Sequence, residues 1–72
     1  MQELMIKDDF IKLGQALKLS GLVETGVDAK NAIQGGLVKV NGHVETQRGK
    51  KLVHNDEVSF DEVLFVIKSN QQ

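Results

Sequence analysis

A chain of 72 residues makes one small domain, and at that size only about 60% of the unfolded surface is buried, so its core must be economical. Apolar residues are 40% and charged residues 26%, the balance of an ordinary soluble domain, and the absence of cysteine excludes disulfides and thiolate metal sites. The net charge of −1 by itself points to no class of partner.

Glu3 to Lys7 sets Leu4, Met5 and Ile6 between polar ends and reads as a short strand. Asp8 or Asp9 then offers a cap for a helix beginning near Phe10. The spacing predicts a helix over 10–20, with Phe10, Leu13, Ala16, Leu17 and Ser20 on one side. Lys12, Gln15 and Lys18 fall opposite, and Gly21 stops the helix. A second helix is expected over 26–34. Thr25 and Asp28 form a capping-box-like pair before it. Ala29, Ala32 and Ile33 give its buried stripe, and Gly35–Gly36 end it.

From Leu37 the period becomes alternating. Val38 and Val40 flank Lys39, and Asn41–Gly42 is a strong hairpin signal. A two-residue turn would leave Val44 on the Lys39 face. A three-residue loop with Gly42 left-handed would keep Val44 in the core, and that register is the one expected. Thr46 to Lys51 is a polar, basic loop. Leu52–Val53, then Val58 and Phe60, read as further strand. Asp61–Glu62 is a turn. Val63 to Ile67 is apolar on both faces, which suits the centre of a small sheet beside the first strand. Ser69 to Gln72 is expected to fray.

The net charge gains meaning when divided along the chain. Residues 1–29 carry Lys7, Lys12 and Lys18 against Glu3, Asp8, Asp9, Glu24 and Asp28, a net −2. Residues 30–51 carry Lys30, Lys39, Arg48, Lys50 and Lys51 against Glu45 alone, a net +4. The remainder carries Lys68 against Asp56, Glu57, Asp61 and Glu62, a net −3. A basic middle between acidic flanks suggests an anionic partner for the middle segment. No apolar run approaches the roughly 20 residues that span a bilayer, and no basic-then-apolar leader opens the sequence. A cytoplasmic module with no membrane contact is the expectation.

The ordered run Asp28-Ala29-Lys30, Ile33, Gly35-Gly36, Val38-Lys39-Val40-Asn41-Gly42 and Asn55-Asp56-Glu57-Val58 resembles the S4-type RNA-binding domain. The stretch Lys12 to Val58 carries the resemblance, and the whole length looks like the small stand-alone YaaA/YbcJ-like bacterial members. The resemblance implies an α+β fold with two short helices packed on a small bent, mainly antiparallel sheet, the αL motif. It implies one S4-like domain over 1–72 with a core motif at about 10–60, and a non-enzymatic module for structured RNA. Lys12, Lys18, Lys30 and Lys39 match basic positions of the pattern, and Arg48, Lys50 and Lys51 match its basic loop. Gly26 stands where many members carry Arg, and Asn31 where a second basic residue is common. Ala16 stands where aromatic residues are frequent.

The residues make a similar case without the family. Lys12, Gln15 and Lys18 on one helix, Lys30 on the next and Lys39 on the hairpin would join the Arg48–Lys51 loop in one patch for phosphates. Phe10, Phe60 and Phe65 read as core, and tryptophan and tyrosine are absent. Base stacking is therefore not expected, and recognition of folded ribosomal or transfer RNA through backbone and 2′-hydroxyls fits better. The alternative is a protein-interaction adaptor presenting Leu19, Leu22, Val23 and the acidic ends to a partner enzyme. His43 and His54 with Glu45 or Asp56 make a poor metal set, and the pairs Asp56–Glu57 and Asp61–Glu62 serve solubility more often than acid–base chemistry. Gly35–Gly36 lacks the spacing of a phosphate loop. No catalytic centre, metal or cofactor is expected, and the expected state is a monomer.

Overall fold

Gln2–Ile6 forms the first strand, β1, in a computed structural model that describes residues 1–70. It is followed by β2 (Phe10–Lys12), α1 (Leu13–Leu19), α2 (Gly26–Gln34), β3 (Val38–Val40) and β4 (His43–Val44). The chain then forms β5 (Lys51–Val53), β6 (Glu57–Phe60) and β7 (Val63–Ser69). Among the described residues the strands make a five-stranded sheet of order β1-β7-β6-β3-β4 and a two-stranded sheet of β2 and β5. This is the expected α+β architecture. Only β1 and β7 pair in parallel, from Gln2↔Phe65 to Ile6↔Ser69, so everything between them serves as the crossover a parallel pair requires. β7 lies between β1 and β6, which explains why Phe65, Val66 and Ile67 are all buried.

The core joins one face of the sheet to both helices. Leu13 and Leu17 from α1, Ile33 from α2, Val38, Leu52, Val58, Phe65 and Ile67 are fully buried. Ala16, Ala29 and Ala32 are buried as well, and their small size suits two short helices packed closely together. The second helix runs as expected. Thr25 Oγ1 accepts the Asp28 N–H at 3.0 Å. At the other end Leu37 N–H donates to Ala32 O and Gly36 N–H to Ile33 O, with Gly36 at φ +80. That pairing is a Schellman motif, and its left-handed residue favours glycine.

Four expectations are corrected. The first helix does not start near Phe10, because Phe10–Lys12 is β2 and pairs antiparallel with β5 as Phe10↔Val53, Ile11↔Leu52 and Lys12↔Lys51. Neither Asp8 nor Asp9 caps it. Lys12 occupies the cap position without a side-chain bond, and the first helical donors find distant carbonyls: Leu13 N–H to Lys50 O at 2.8 Å and Gly14 N–H to Arg48 O at 3.0 Å. Phe10 is consequently not core but 39% exposed.

The hairpin register is the second correction. Val40 pairs with His43 and Lys39 with Val44, so the turn has two residues, Asn41 at φ +52 and Gly42 at φ +85. Val44 is exposed. Asn41 is held from outside the hairpin. Its N–H donates to Glu57 O at 2.7 Å, its Nδ2 donates to Asp56 Oδ1 at 3.1 Å, and its Oδ1 accepts the Glu57 N–H at 2.9 Å. Three bonds at about 1 kcal/mol each outweigh the roughly 1.5 kcal/mol gained by burying one valine.

Third, the chain does not fray at Ser69. Ser69 is buried, its Oγ donates to Asp8 O at 2.7 Å and its N–H to His54 Nδ1 at 3.0 Å, while Asn70 N–H reaches Ile6 O. The rest of the expected frayed tail, residues 71–72, lies outside the described residues. Fourth, Leu22 and Val23 are not free for a partner but pack, partly buried, against the core. Leu19 alone of that trio is well exposed. No helix among the described residues is long and apolar enough to cross a membrane.

Candidate nucleic-acid interface

The β2–α1 junction and the 46–50 loop build the site together. The bonds from Leu13 and Gly14 to the Lys50 and Arg48 carbonyls tie the loop to the start of α1. Within the loop Lys50 N–H donates to Gln47 O, and Glu45, the one acid of the basic segment, accepts the Gln47 N–H at 3.1 Å. Between loop and helices lies a groove of about 380 Å³. β2 and α1 contribute Lys12, Gly14, Gln15 and Lys18, α2 contributes Gly26 and Ala29, and the loop contributes Arg48 and Gly49.

Three cations and no carboxylate line this groove. A site so unbalanced favours an anion, and the three cations differ in what they can do. Lys12 and Lys18 act as point charges, whereas the Arg48 guanidinium can grip a phosphate with two parallel bonds. Lys12 also faces Lys51 directly across the β2–β5 pair. Like charges opposed in this way destabilise a strand pair, and an anion between them would relieve the repulsion. Lys51 Nζ sits 4.7 Å from the centroid of the Phe10 ring, a cation–π arrangement that holds both side chains on the outer face of the small sheet.

Of the eight residues expected to form one patch, Lys12, Gln15, Lys18 and Arg48 meet in the groove. Lys51 lies in β5 rather than in the loop and adjoins Lys12. Lys30, Lys39 and Lys50 are exposed but are not part of the groove lining. Lys39 sits on β3 opposite Val44 and Ser59. The residues that the sequence did not single out for the groove are Gly14, Ala29 and Gly49, together with Gly26, noted only as a departure. Gly26 and Gly49 have no atom within 4 Å of where a Cβ would stand, so the groove is open above them. Their signal was present only as small residues beside cations.

Asn41, Asp56 and Glu57, prominent in the sequence pattern, bind one another instead of a ligand. Asp56 further accepts the Val53 N–H through Oδ2 at 2.8 Å. His54 takes the Ser69 N–H, and no cluster of three or more metal-ligating side chains occurs among the described residues.

The family model of the S4 domain matches residues 4–68. The chain is an S4 domain protein. This S4 chain is 46% identical over 54 residues to YbcJ of Escherichia coli (strain K12), which covers 75% of the chain and 77% of that relative. The same identity and coverage hold for YbcJ of Shigella flexneri. The solution structure of YbcJ from E. coli superposes with a TM-score of 0.72 at 38% identity, over 94% of this S4 chain and 87% of that one. That YbcJ structure reveals an ALFAL motif involved in RNA-binding.

Proposed function

We propose that this S4 domain protein binds structured RNA, without catalysis, by seating the phosphate backbone in the groove of Lys12, Gln15, Lys18 and Arg48. The observation that carries the reading is the groove's three unopposed cations between two helices and a loop. The YbcJ motif involved in RNA-binding supports the choice of RNA as the anion. Lys30, Lys39, Lys50 and Lys51 extend the contact around the groove, and the chain 1–72 acts as one module. Ribosomal and transfer RNA are the proposed targets because both present folded backbones with 2′-hydroxyls in a shallow minor groove. The corresponding place of action is the cytoplasm.

A direct test is titration of a folded transfer RNA, a ribosomal RNA fragment and a DNA duplex of equal length at several salt concentrations. With about four phosphates neutralised, log affinity against log salt falls with a slope of about −3 to −4. Gln at Lys12, Lys18 or Arg48 weakens binding and flattens the slope, while Lys68→Gln, outside the groove, changes it little. Equal affinity for RNA and DNA would refute the choice of RNA, and no binding at low salt would refute the reading altogether.

A further inference from the structure

The outer face of the β2–β5 sheet carries Phe10, Lys12, Lys51 and Val53, since Ile11 and Leu52 alternate toward the core. Beside that face a second groove of about 680 Å³ runs between the end of β1, β2 and α1. Met5, Phe10 and Leu19 form its apolar walls and are 57%, 39% and 60% exposed. Gln15 and Lys18 line both this groove and the basic one. The two grooves are therefore neighbours across the outer face of α1: the first is cationic, and the second sets apolar walls beside Lys7, Asp8 and Lys18.

We propose that the apolar groove receives one unpaired nucleobase of the RNA whose backbone lies in the basic groove, with Phe10 as the stacking surface. This rests on the RNA reading above and extends it from backbone to base. A nucleotide has the same division as the paired grooves: a charged phosphate joined to a flat ring with apolar faces and polar edges. With Lys51 Nζ over one face of the Phe10 ring, the base takes the other face, and stacking on such a face tolerates any base. Lys51, held 4.7 Å from the ring centroid, and Lys18 on the shared wall keep cations beside the phosphate next to that base. Gln15 offers both a donor and an acceptor to the base edge. Asp8, also at this groove, carries an acceptor-only carboxylate. It accepts from the exocyclic amino group of adenine, cytosine or guanine, and Lys7 beside it in the lining offsets its charge. Bulged and looped bases of folded RNA are unstacked and available for this contact.

The test uses the full 72-residue chain and three RNA hairpins that differ at one position: fully paired, a single bulged adenosine, and a bulged abasic nucleotide. The adenosine bulge should bind about tenfold more tightly than the other two, within the range of one base–aromatic stack. On binding it, Phe10 ring protons should shift upfield in the NMR spectrum. Phe10→Leu should abolish the preference and leave the salt slope unchanged. Because Phe10 belongs to β2, Leu19→Gln on the exposed face of α1 is a second variant expected to reduce the preference without touching the strand. Measurable but equal binding of adenosine and abasic bulges would overturn the base site and leave the backbone reading standing. A preference that survives in Phe10→Leu would overturn it equally. Absence of binding to every hairpin at low salt would remove both readings.

Discussion

Asn41 holds two turns together. Its side chain joins the β3–β4 turn to Asp56 and Glu57 at the start of β6, and its own φ of +52 lies where asparagine is tolerated better than most residues. Asn41→Ala removes both side-chain bonds and leaves a less suitable residue in the left-handed region. The expected cost is about 2 kcal/mol, from two bonds at about 1 kcal/mol each, read as a lower urea midpoint at constant slope. In a double-mutant cycle with Asp56→Ala the two losses should add to less than their sum, since the pair shares one bond. Thr25 is simpler. Thr25→Ala should cost about 1 kcal/mol by orphaning the Asp28 N–H at the start of α2; an unchanged urea midpoint would show that water replaces the cap at no cost.

At the scale of elements, turns and caps that close over a few residues could be read directly. The Thr25 cap, the Gly36 stop, the expected turn at Asp61–Glu62 and the strand at Val63 all appear where local chemistry puts them. The start of α1 could not be read this way. Its donors are satisfied by carbonyls of Arg48 and Lys50, more than 30 residues away, so no side chain in the neighbouring sequence announces it. The β6–β7 turn offers a further prediction. Phe60 pairs with Val63 across Asp61 at φ +53 and Glu62 at φ +66, a primed two-residue turn made without glycine. Glu62→Gly should relieve the left-handed strain and stabilise the protein by about 1 kcal/mol. A raised thermal midpoint with unchanged RNA affinity is the expected result, because neither Asp61 nor Glu62 lines the groove.

For the whole molecule, the decisive feature is that β2, α1, α2 and the 46–50 loop converge on one groove. Gly26 lines it with open space where a side chain would begin, and many members of the family carry Arg at this place. Gly26→Arg should therefore add a fourth cation to the groove without a clash. RNA affinity should rise and the salt slope should steepen by about one unit, the change expected for one added phosphate contact. An unchanged slope would mean that the bound backbone does not pass this edge of the groove.

What the sequence determined by itself was the α+β class, the two helices with their common packing stripe, and the cations that line the groove. These follow from periods of a few residues and from charge, both of which survive without knowledge of the fold. The tertiary structure alone decided three matters. The β2–β5 pairing turned Phe10 from an expected core residue into an exposed one beside Lys51. The Asn41 bonds to Asp56 and Glu57 chose the two-residue turn and exposed Val44. The joining of the loop to α1 gathered Lys12, Gln15, Lys18 and Arg48 while leaving Lys30, Lys39 and Lys50 outside the groove lining. Each depends on backbone or side-chain bonds between residues more than a dozen positions apart, and no local pattern of hydrophobicity or propensity encodes such partners.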